Sequence, residues 1–440
     1  MALALGRTFI ARGIAALGAL LLVLVLGRIY GPVGVGVFAL AQSIILGAGT
    51  LARYGMDNAL MRYVGQEPGA PHVLTYLRWA CRKALALSVL AAGIIFLVRG
   101  FMERIFQADG LAEILVGIAV ATPAFTLGFL LSGFFKGGRR PATACLLENG
   151  SVALVAAVLV WGWHLLKPDA GLPIIGWAYA VAAWLVVLQG AWQLRRWRQR
   201  QGLNQAISPP ATRQQFDDSS RAFFVMSLAT FMQSVLGIMI AGWLLNSAEL
   251  GLFKTAQQTA VLIGFILIVL NAIIPPRFAS LYHEGKVQAM GRLARQGAVL
   301  GACLAAPLLL ACLFFPGWVL GFFGNEFQAA VPLLRMIALA QLVNVATGSV
   351  GFLLNMTGHE ALMRNIALTC NALGLGLFFV LIPLFGVMGA ALALAFVLVV
   401  QNLVALFFVW RRLGIWTLPL PNVLSLLGVK PGCGQRAEKA

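Results

Sequence analysis

The chain has 440 residues, of which 60% are hydrophobic and only 10% are charged. Because soluble domains carry about 25% charged residues, this composition excludes a soluble globular protein and indicates a polytopic membrane protein. The net charge of +18 is better explained by basic cytoplasmic loops beside anionic lipid than by nucleic-acid binding.

Membrane-spanning helices need about 20 mostly apolar residues. Twelve segments meet this requirement, and we predict an all-α fold of twelve transmembrane helices. In chain order the predicted helices cover 8–27, 34–54, 79–98, 112–133, 142–163, 174–194, 222–245, 251–273, 293–315, 330–354, 362–384 and 387–410.

The distribution of basic residues predicts the orientation. If the N-terminus is cytoplasmic, 26 of the 32 Lys and Arg residues fall on or nearest the cytoplasmic side and 6 on the other. Basic residues concentrate in cytoplasmic loops. We therefore expect both termini to lie in the cytoplasm.

A break in composition suggests the domain organisation. The stretch "RRWRQRQGLNQAISPPATRQQFDDSSR" is polar and basic and contains two adjacent prolines, which is typical of a linker. We predict a six-helix lobe over 1–194, a cytoplasmic linker over 195–221, a second six-helix lobe over 222–412 and a cytoplasmic tail over 413–440.

Two short echoes indicate an internal repeat. "GVFALAQ" at 36–42 returns as "GLFKTAQ" at 251–257, an offset of 215, and "FQA" at 106–108 returns at 327–329, an offset of 221. Since each half has an even number of helices, the halves would be parallel repeats related by a pseudo-twofold axis along the membrane normal. Transporters built in this way bind substrate between the repeats and alternate access by rocking.

Several motifs resemble the polysaccharide (Wzx-type) flippases of the MATE-like superfamily. They are "LGRIYGPVGVGVFALAQ", "DNALMRYVG", "ELGLFKTAQQTAVL", "IIPPRFASLYHEGK", "FFGNEFQAAVPLLRMIALAQ" and "GFLLNMTGHEALMRN". The resemblance covers about 1–410 and implies two lobes in a V. It also implies flipping of an undecaprenyl-diphosphate-linked oligosaccharide across the bacterial inner membrane for O-antigen, capsule or exopolysaccharide synthesis. A polysaccharide polymerase and chain-length proteins would be candidate partners.

A few charged residues fall within or at the ends of the predicted spans. A charge at the centre of a span costs about 2.5–3.5 kcal/mol, and such residues usually face a cavity. Arg12 and Glu148 are the deeper ones, whereas Arg53, Asp57 and Lys254 lie near helix ends, where anchoring by snorkelling is an equal alternative. Glu148 either neutralises Arg12 or, with Asp57, binds the H⁺ or Na⁺ that couples transport. No other cofactor and no metal is predicted.

Polar residues in the echoed helices form stripes. Gln42, Gly49 and Arg53 share one helical face by their spacing, and the repeat maps the first two onto Gln257 and Gly264. The alternative to a cargo cleft is that such small and polar residues hold neighbouring helices together.

Two further positions complete the candidate substrate site. Asn271 continues the stripe of Gln257 and Gly264 at a spacing of seven. The same offset of 215 maps Arg12 onto Ser227, which begins a hydroxyl face with Thr230 and Ser234.

The sign of the candidate charges favours an anionic cargo. Arg12, Arg53 and Lys254 oppose Glu148 and Asp57, and arginine can bind a diphosphate through two parallel hydrogen bonds. Two alternatives stay open: a small-molecule or drug exporter of the same fold, which would favour an acidic cavity, and a non-transporting scaffold in a glycan-assembly complex. The sequence offers no acid, base or metal group typical of an enzyme.

Overall fold

The computed structural model describes residues 2–201, 210–231 and 235–418, and every regular element within these ranges is a helix. Ten of the described helices are long and apolar enough to cross a membrane by length and composition. The prediction of an all-α polytopic membrane protein is therefore confirmed. The chain divides into two compact units, Met1–Lys254 and Thr255–Ala440.

The described residues of the N-terminal unit form nine α-helices and the first turns of a tenth. They are α1 (Ala2–Arg53), α2 (Met56–Gln66), α3 (Val73–Phe106), α4 (Leu111–Gly137), α5 (Pro141–Cys145), α6 (Asn149–Leu166), α7 (Pro173–Arg200), α8 (Arg213–Phe231), α9 (Gly237–Leu244) and α10 (Ser247–Ile273).

The first helix accounts for two predicted spans. Its apolar part, Ile10–Arg53, has 44 residues, about twice the 20 that a bilayer core requires. The backbone leaves the helical region at Gly31, where φ is 64° and ψ is −166°, and Pro32 follows. A positive φ favours glycine, and proline lacks the N–H that would continue the hydrogen-bond ladder. The break therefore falls in the predicted connection between 8–27 and 34–54.

The fifth predicted span, 142–163, is interrupted, and this corrects the position expected for Glu148. A short α5 ends at Cys145, and α6 begins at Asn149, so Glu148 lies in the break with an extended backbone (φ −95°, ψ 175°). The carboxylate is therefore at a helix N-terminus rather than two turns inside a continuous helix. Apolar periodicity missed the break because the residues on both sides of it are equally suited to a buried helix.

Glycines allow the helices of the N-terminal unit to pack closely. A Cβ on Gly133 would lie 2.3 Å from the Asp57 carbonyl oxygen, and one on Gly137 would lie 2.9 Å from that of Met61. Small residues four positions apart let two helix backbones approach. These two glycines let α2 pack closely against α4, and this contact fixes the position of Asp57 along α4.

The described ends of the predicted linker are helical. Helix α7 continues to Arg200 and α8 begins at Arg213, while 202–209 lie outside the described residues. Phe216 is 1% exposed and stacks on Tyr76 with ring centres 5.7 Å apart. Lys83 Nζ lies 2.9 Å from Asp217 Oδ1. These contacts bind the start of α8 to the rest of its unit.

The C-terminal unit continues from α10. Its further elements are α11 (Pro275–His283), α12 (Val287–Phe314), α13 (Pro316–Gly321), a 3-10 helix (Asn325–Ala330), α14 (Val331–Thr347), α15 (Val350–Met356), α16 (Glu360–Phe385) and α17 (Val387–Leu413). The tenth predicted span, 330–354, is divided between α14 and α15 at Gly348, where φ is 68°.

The chain beyond α17 packs into the C-terminal unit as far as it is described. The Thr417 hydroxyl donates to the carbonyl of Thr347 at 2.8 Å, and Arg295 donates to the carbonyl of Trp416 at 3.1 Å. Of the predicted tail, 419–440 lie outside the described residues.

Equivalent residues of the two echoes have equivalent environments. Phe38 and Phe253 are each 1% exposed. The offset of 221 relates Thr126 to Thr347. Both are fully buried, and each donates to the carbonyl four residues earlier, at 2.8 and 2.9 Å. The boundary between the compact units lies at Lys254, inside α10 and beyond the predicted linker, so the division into lobes over 1–194 and 222–412 stays a prediction.

Candidate functional site

Arg53, at the end of α1, is held inside the N-terminal unit. Its side chain is 11% exposed, its Nε lies 3.6 Å from Asp57 Oδ2, and its Nη2 donates to the Thr50 hydroxyl at 3.0 Å. The guanidinium carbon lies 4.1 Å from the centre of the Phe129 ring. A cation over an aromatic face is stabilised by the ring quadrupole. The structure therefore brings together Arg53, a predicted substrate-binding residue, and Asp57, a predicted ion-coupling residue.

This ion pair leaves hydrogen-bonding capacity unused. Arg53 Nη1 and Asp57 Oδ1 are both buried and have no hydrogen-bond partner in the described part of the chain. Leaving a buried polar group unpaired costs about 1–3 kcal/mol, and more for a charged group. Such atoms are suited to an additional ligand, an anion for the guanidinium or a cation for the carboxylate.

Glu148 pairs with a lysine that the sequence pattern did not single out. Lys136 Nζ, at the end of α4, lies 2.6 Å from Glu148 Oε1, and the Ser132 hydroxyl donates to the same oxygen at 3.0 Å. Glu148 and Asp57 also act electrostatically on Arg53. We call Arg53, Asp57, Lys136 and Glu148 the charge cluster. Its formal charges sum to zero.

Gln42 takes part in a different contact. It is 8% exposed and is hydrogen-bonded to the hydroxyl of Tyr179 on α7. That hydroxyl donates to Oδ1 of Asn149 at the start of α6. Farther along the stripe, a Cβ on Gly49 would lie 3.1 Å from the Phe125 ring. This face of α1 therefore packs on other helices of the same unit, which agrees with the helix-packing alternative.

Lys254 is the second buried cation of the N-terminal unit. The residue is 9% exposed and has neither an ion pair nor a hydrogen bond among the described residues. A buried charge is stable only if it is paired, hydrogen-bonded or close to water. Lys254 is thus a strong candidate for contact with an anion.

Arg12 and Ser227 lie elsewhere in the N-terminal unit, on α1 and α8. Arg12, half-buried, lies three residues before Ala15, which packs on Gly150 of α6. It has no ion pair within the described ranges, and Glu148 is engaged by Lys136 instead.

Ser227 lies on the face of α8 that is turned to α1. Phe224 stacks on Tyr54 at 4.7 Å, and Phe231 lies beside Gly47. Since Ser227 is three residues after Phe224 and four before Phe231, it shares their face. The Thr230 side chain and Ser234, predicted to continue this hydroxyl face, lie outside the described residues.

The polar stripe of α10 meets amides in the C-terminal unit. A Cβ on Gly264 would lie 3.2 Å from Gln341 Oε1, and Asn344 donates to that same oxygen at 2.9 Å. Asn271 accepts a hydrogen bond from Ser349. Gln257 is half-buried. The sequence pattern did not point to the residues on α14 and α15, although a glutamine within an apolar span was a usable signal.

The two echoed glycines contact each other at a helix crossing. A Cβ on Gly36 would lie 1.8 Å from the carbonyl oxygen of Ser247, and one on Gly251 would lie 1.9 Å from that of Pro32. The offset of 215 maps Pro32 onto Ser247 and Gly36 onto Gly251. Gly36 thus contacts the equivalent of Pro32, and Pro32 contacts the equivalent of Gly36. Such a reciprocal pair of contacts is typical of a twofold axis. The crossing of α1 and α10 is therefore locally pseudo-symmetric.

One relative and two solved structures are similar to this chain over most of its length. A relative from Haloferax volcanii, described as the probable low-salt glycan biosynthesis flippase Agl15, is 24% identical over 378 residues, which cover 84% of this chain and 75% of the relative. The inward closed conformation of the lipid II flippase MurJ matches with a TM-score of 0.68 at 12% identity, covering 91% and 87% of the two chains. An inward-facing multidrug resistance transporter of the MATE family matches with a TM-score of 0.65 at 14% identity, covering 91% and 94%.

The matches to solved structures show that this chain shares the fold of these transporters. The family assignment comes from the sequence itself, because the profile of the family described as "polysaccharide biosynthesis protein" matches residues 6–282, more than half of the chain. The resemblance found in the motifs is thereby confirmed, and the chain belongs to the polysaccharide biosynthesis protein family.

Proposed function

We propose that the protein is a flippase that carries a lipid-linked oligosaccharide across the cytoplasmic membrane by alternating access. The membership of the family and the likeness to a probable glycan biosynthesis flippase support this function. The observation that carries it is the incomplete pairing of two cations: Arg53 Nη1 is buried without a hydrogen-bond partner, and Lys254, 9% exposed, has no ion pair among the described residues. Such groups fit the diphosphate that joins a glycan to its polyprenyl carrier.

The same observation weighs against an exporter of organic cations. A cationic substrate would gain nothing from Lys254, and the charge cluster, whose formal charges sum to zero, offers it no net negative charge. The fold alone leaves the exporter open, because MATE transporters share it.

A transport assay tests the proposal. The protein is reconstituted in vesicles with a fluorescent undecaprenyl-diphosphate-linked oligosaccharide, and the accessible fraction is quenched from outside over time. We expect Arg53→Gln and Lys254→Gln each to slow flipping about 10- to 150-fold, since a hydrogen bond to a charged group contributes about 1.5–3 kcal/mol. Arg53→Lys, which keeps the charge but not the two parallel N–H groups, should lie in between.

The matched control is Arg62→Gln. Arg62 is an exposed arginine on α2 outside the charge cluster, so its loss should leave flipping unchanged. The proposal fails if the unmodified protein moves no lipid-linked glycan. It fails in favour of the exporter if the same vesicles accumulate an organic cation such as ethidium.

We further propose that an ion gradient drives the cycle through Asp57 and Glu148. The unpaired Asp57 Oδ1 is a place where H⁺ or Na⁺ could bind, and protonation of Asp57 would release Arg53 to bind the cargo. Asp57→Asn should therefore make flipping independent of the imposed H⁺ or Na⁺ gradient. Flipping that keeps its full dependence on the gradient would exclude this role.

The orientation belongs to the proposal as well. The 26 to 6 distribution of basic residues favours cytoplasmic termini in a bacterial inner membrane. Arg53 would then lie near the cytoplasmic face and the crossing of Gly36 and Gly251 near the opposite face. Reporter fusions at the two termini would test this arrangement. A terminus found outside the cytoplasm would contradict the proposed orientation.

A further inference from the structure

A cavity of about 380 Å³ lies between α3 and α7, and no member of the charge cluster lines it. Its lining combines apolar and basic side chains: Leu74, Leu77, Arg78 and Cys81 from α3, with Ala191, Leu194, Arg195 and Arg198 from α7. The volume is within the range of small-ligand sites.

The residues that line the cavity have the same spacing on α3 and on α7, and each helix forms one wall. On each helix the four lining residues follow the pattern i, i+3, i+4, i+7, which places them on a single face. On each wall an arginine directly follows a leucine: Arg78 follows Leu77 on α3, and Arg195 follows Leu194 on α7. These two arginines are exposed, so their head groups are free to turn into the cavity mouth.

The helix directions bring the two walls of the cavity to the same end of the unit. Phe134, near the end of α4, packs against Trp197, near the end of α7, with ring centres 5.2 Å apart. Helix α3 precedes α4 through a short turn and runs the opposite way. The start of α3 and the end of α7 therefore meet at one end of the unit, and the apolar surface of the cavity continues along the helices.

Aromatic residues indicate that this end lies at the membrane surface. Trp192 is 50% exposed, and the guanidinium carbon of Arg196 lies 3.7 Å from the centre of its ring. Exposed tryptophan beside arginine is typical of the level of the lipid head groups. Basic pockets between membrane helices on the cytoplasmic side can hold anionic lipid.

We propose that this cavity binds the head group of an anionic glycerophospholipid. Arg78 and Arg195 hold the phosphate, and the acyl chains run inward past Cys81 on α3 and Leu194 and Ala191 on α7. The chemistry of the lining carries the assignment: several guanidinium groups match a phosphate diester, and the apolar residues farther along the two helices match the first carbons of the chains.

Native mass spectrometry of the purified protein tests the site. Phosphatidylglycerol and phosphatidylcholine with the same acyl chains are the probes, and the proportion of lipid-bound protein is measured for each. We expect phosphatidylglycerol to be retained at least tenfold better. Arg78→Gln combined with Arg195→Gln should weaken its binding about thirtyfold, which is about fivefold for each arginine.

The matched control removes the same charge from the same end of α7. Arg196 and Arg200 are exposed but do not line the cavity, so Arg196→Gln with Arg200→Gln should leave binding within about threefold of the unmodified protein. Equal loss in both double variants would mean a general attraction to a basic surface and would overturn the site. If the glutamine pair does not fold, Arg78→Lys combined with Arg195→Lys removes the guanidinium groups at unchanged charge and should still weaken binding of phosphatidylglycerol.

A competition experiment separates phospholipid from cargo carrier. Undecaprenyl phosphate at an equal concentration should not displace phosphatidylglycerol if the cavity is a phospholipid site. Displacement would show that the cavity takes the polyprenyl carrier and would overturn the proposal. Neither outcome depends on flipping, so the site and the proposed function can fail separately.

Discussion

A single methyl group at the crossing of α1 and α10 should force the two helices apart. Gly36→Ala would place a Cβ 1.8 Å from the Ser247 carbonyl oxygen, whereas ordinary contact begins at 3.4 Å. The difference, 3.4 − 1.8 = 1.6 Å, must be taken up by the helices, because the atom that is met belongs to the backbone and cannot rotate away.

The expected cost follows from overpacking. Inserting a methylene-sized group into a close contact costs about 1–3 kcal/mol, which corresponds to a shift of about 5- to 150-fold in the balance between helices in contact and helices apart. Alanine also favours the helix over glycine by about 1 kcal/mol. That gain is present in both arrangements and does not alter the balance between them.

Spin labels beside the crossing measure this balance. Val33 is 46% exposed on α1, and Asn246 is exposed just before α10. Cysteine at both positions, in a chain whose native cysteines are replaced, allows the dipolar broadening between two labels to be recorded. We expect strong broadening in the parent and clearly weaker broadening after Gly36→Ala.

Gly93→Ala is the control, since a Cβ there would have no atom within 4 Å. It should leave the broadening unchanged. Adding Gly251→Ala to Gly36→Ala should cost less than the sum of the two single changes, because helices that are already apart have room for the second methyl group. Unchanged broadening in Gly36→Ala, or full additivity in the double variant, would refute the reasoning.

Three further outcomes follow from individual contacts. Phe216→Ala removes the ring stacked on Tyr76 and should destabilise the protein by about 3–5 kcal/mol, seen as a lower melting temperature in detergent. Glu148→Gln should lower stability by no more than about 1 kcal/mol, because the side chains of Glu148 and Lys136 are 31% and 42% exposed; a larger drop in the same melting experiment would contradict this. Thr417→Val leaves a buried carbonyl at the end of α14 without its hydroxyl donor and should cost about 1–3 kcal/mol in the same melting experiment.

Hydropathy predicted where the chain crosses the membrane because the bilayer requires sufficient apolar length from each spanning segment separately. Any helix that spans it must be long and apolar in its own sequence. Every predicted range overlaps observed helices, although several of these helices extend six to nine residues beyond the predicted ends. The break at Gly31 was equally readable, since glycine followed by proline is a local signal.

Side-chain partners could not be predicted in the same way. Lys136 lies twelve residues before Glu148, and Tyr179 meets Gln42 from 137 positions along the chain. Such pairs depend on how α4 and α7 pack on α1, which the periodicity of one helix does not contain. For the same reason the sequence could identify Gln42 as facing inward but not distinguish a packing contact from a cargo contact.

Two cations, Lys254 and Arg53, depart from the internal repeat, and their positions predict how each direction of transport depends on them. The offset of 215 maps Lys254 onto Ala39, which is 1% exposed, and Arg53 onto Ile268, which is 45% exposed, so each buried cation occurs in one repeat only. Lys254 lies one turn beyond the crossing at Gly36, and Arg53 lies 17 residues beyond that crossing along α1, about 25 Å at 1.5 Å per residue.

That separation approaches the roughly 30 Å thickness of the hydrocarbon core, so one diphosphate cannot contact both cations at once. Each cation then stabilises the cargo near one face of the membrane, which predicts different kinetic defects. Loss of Arg53 should raise the cargo concentration needed for half-maximal flipping from the side of Arg53 and leave the opposite direction nearly unaffected, and loss of Lys254 should do the reverse. Equal defects in both directions would place the two cations at a single site and remove the directional argument.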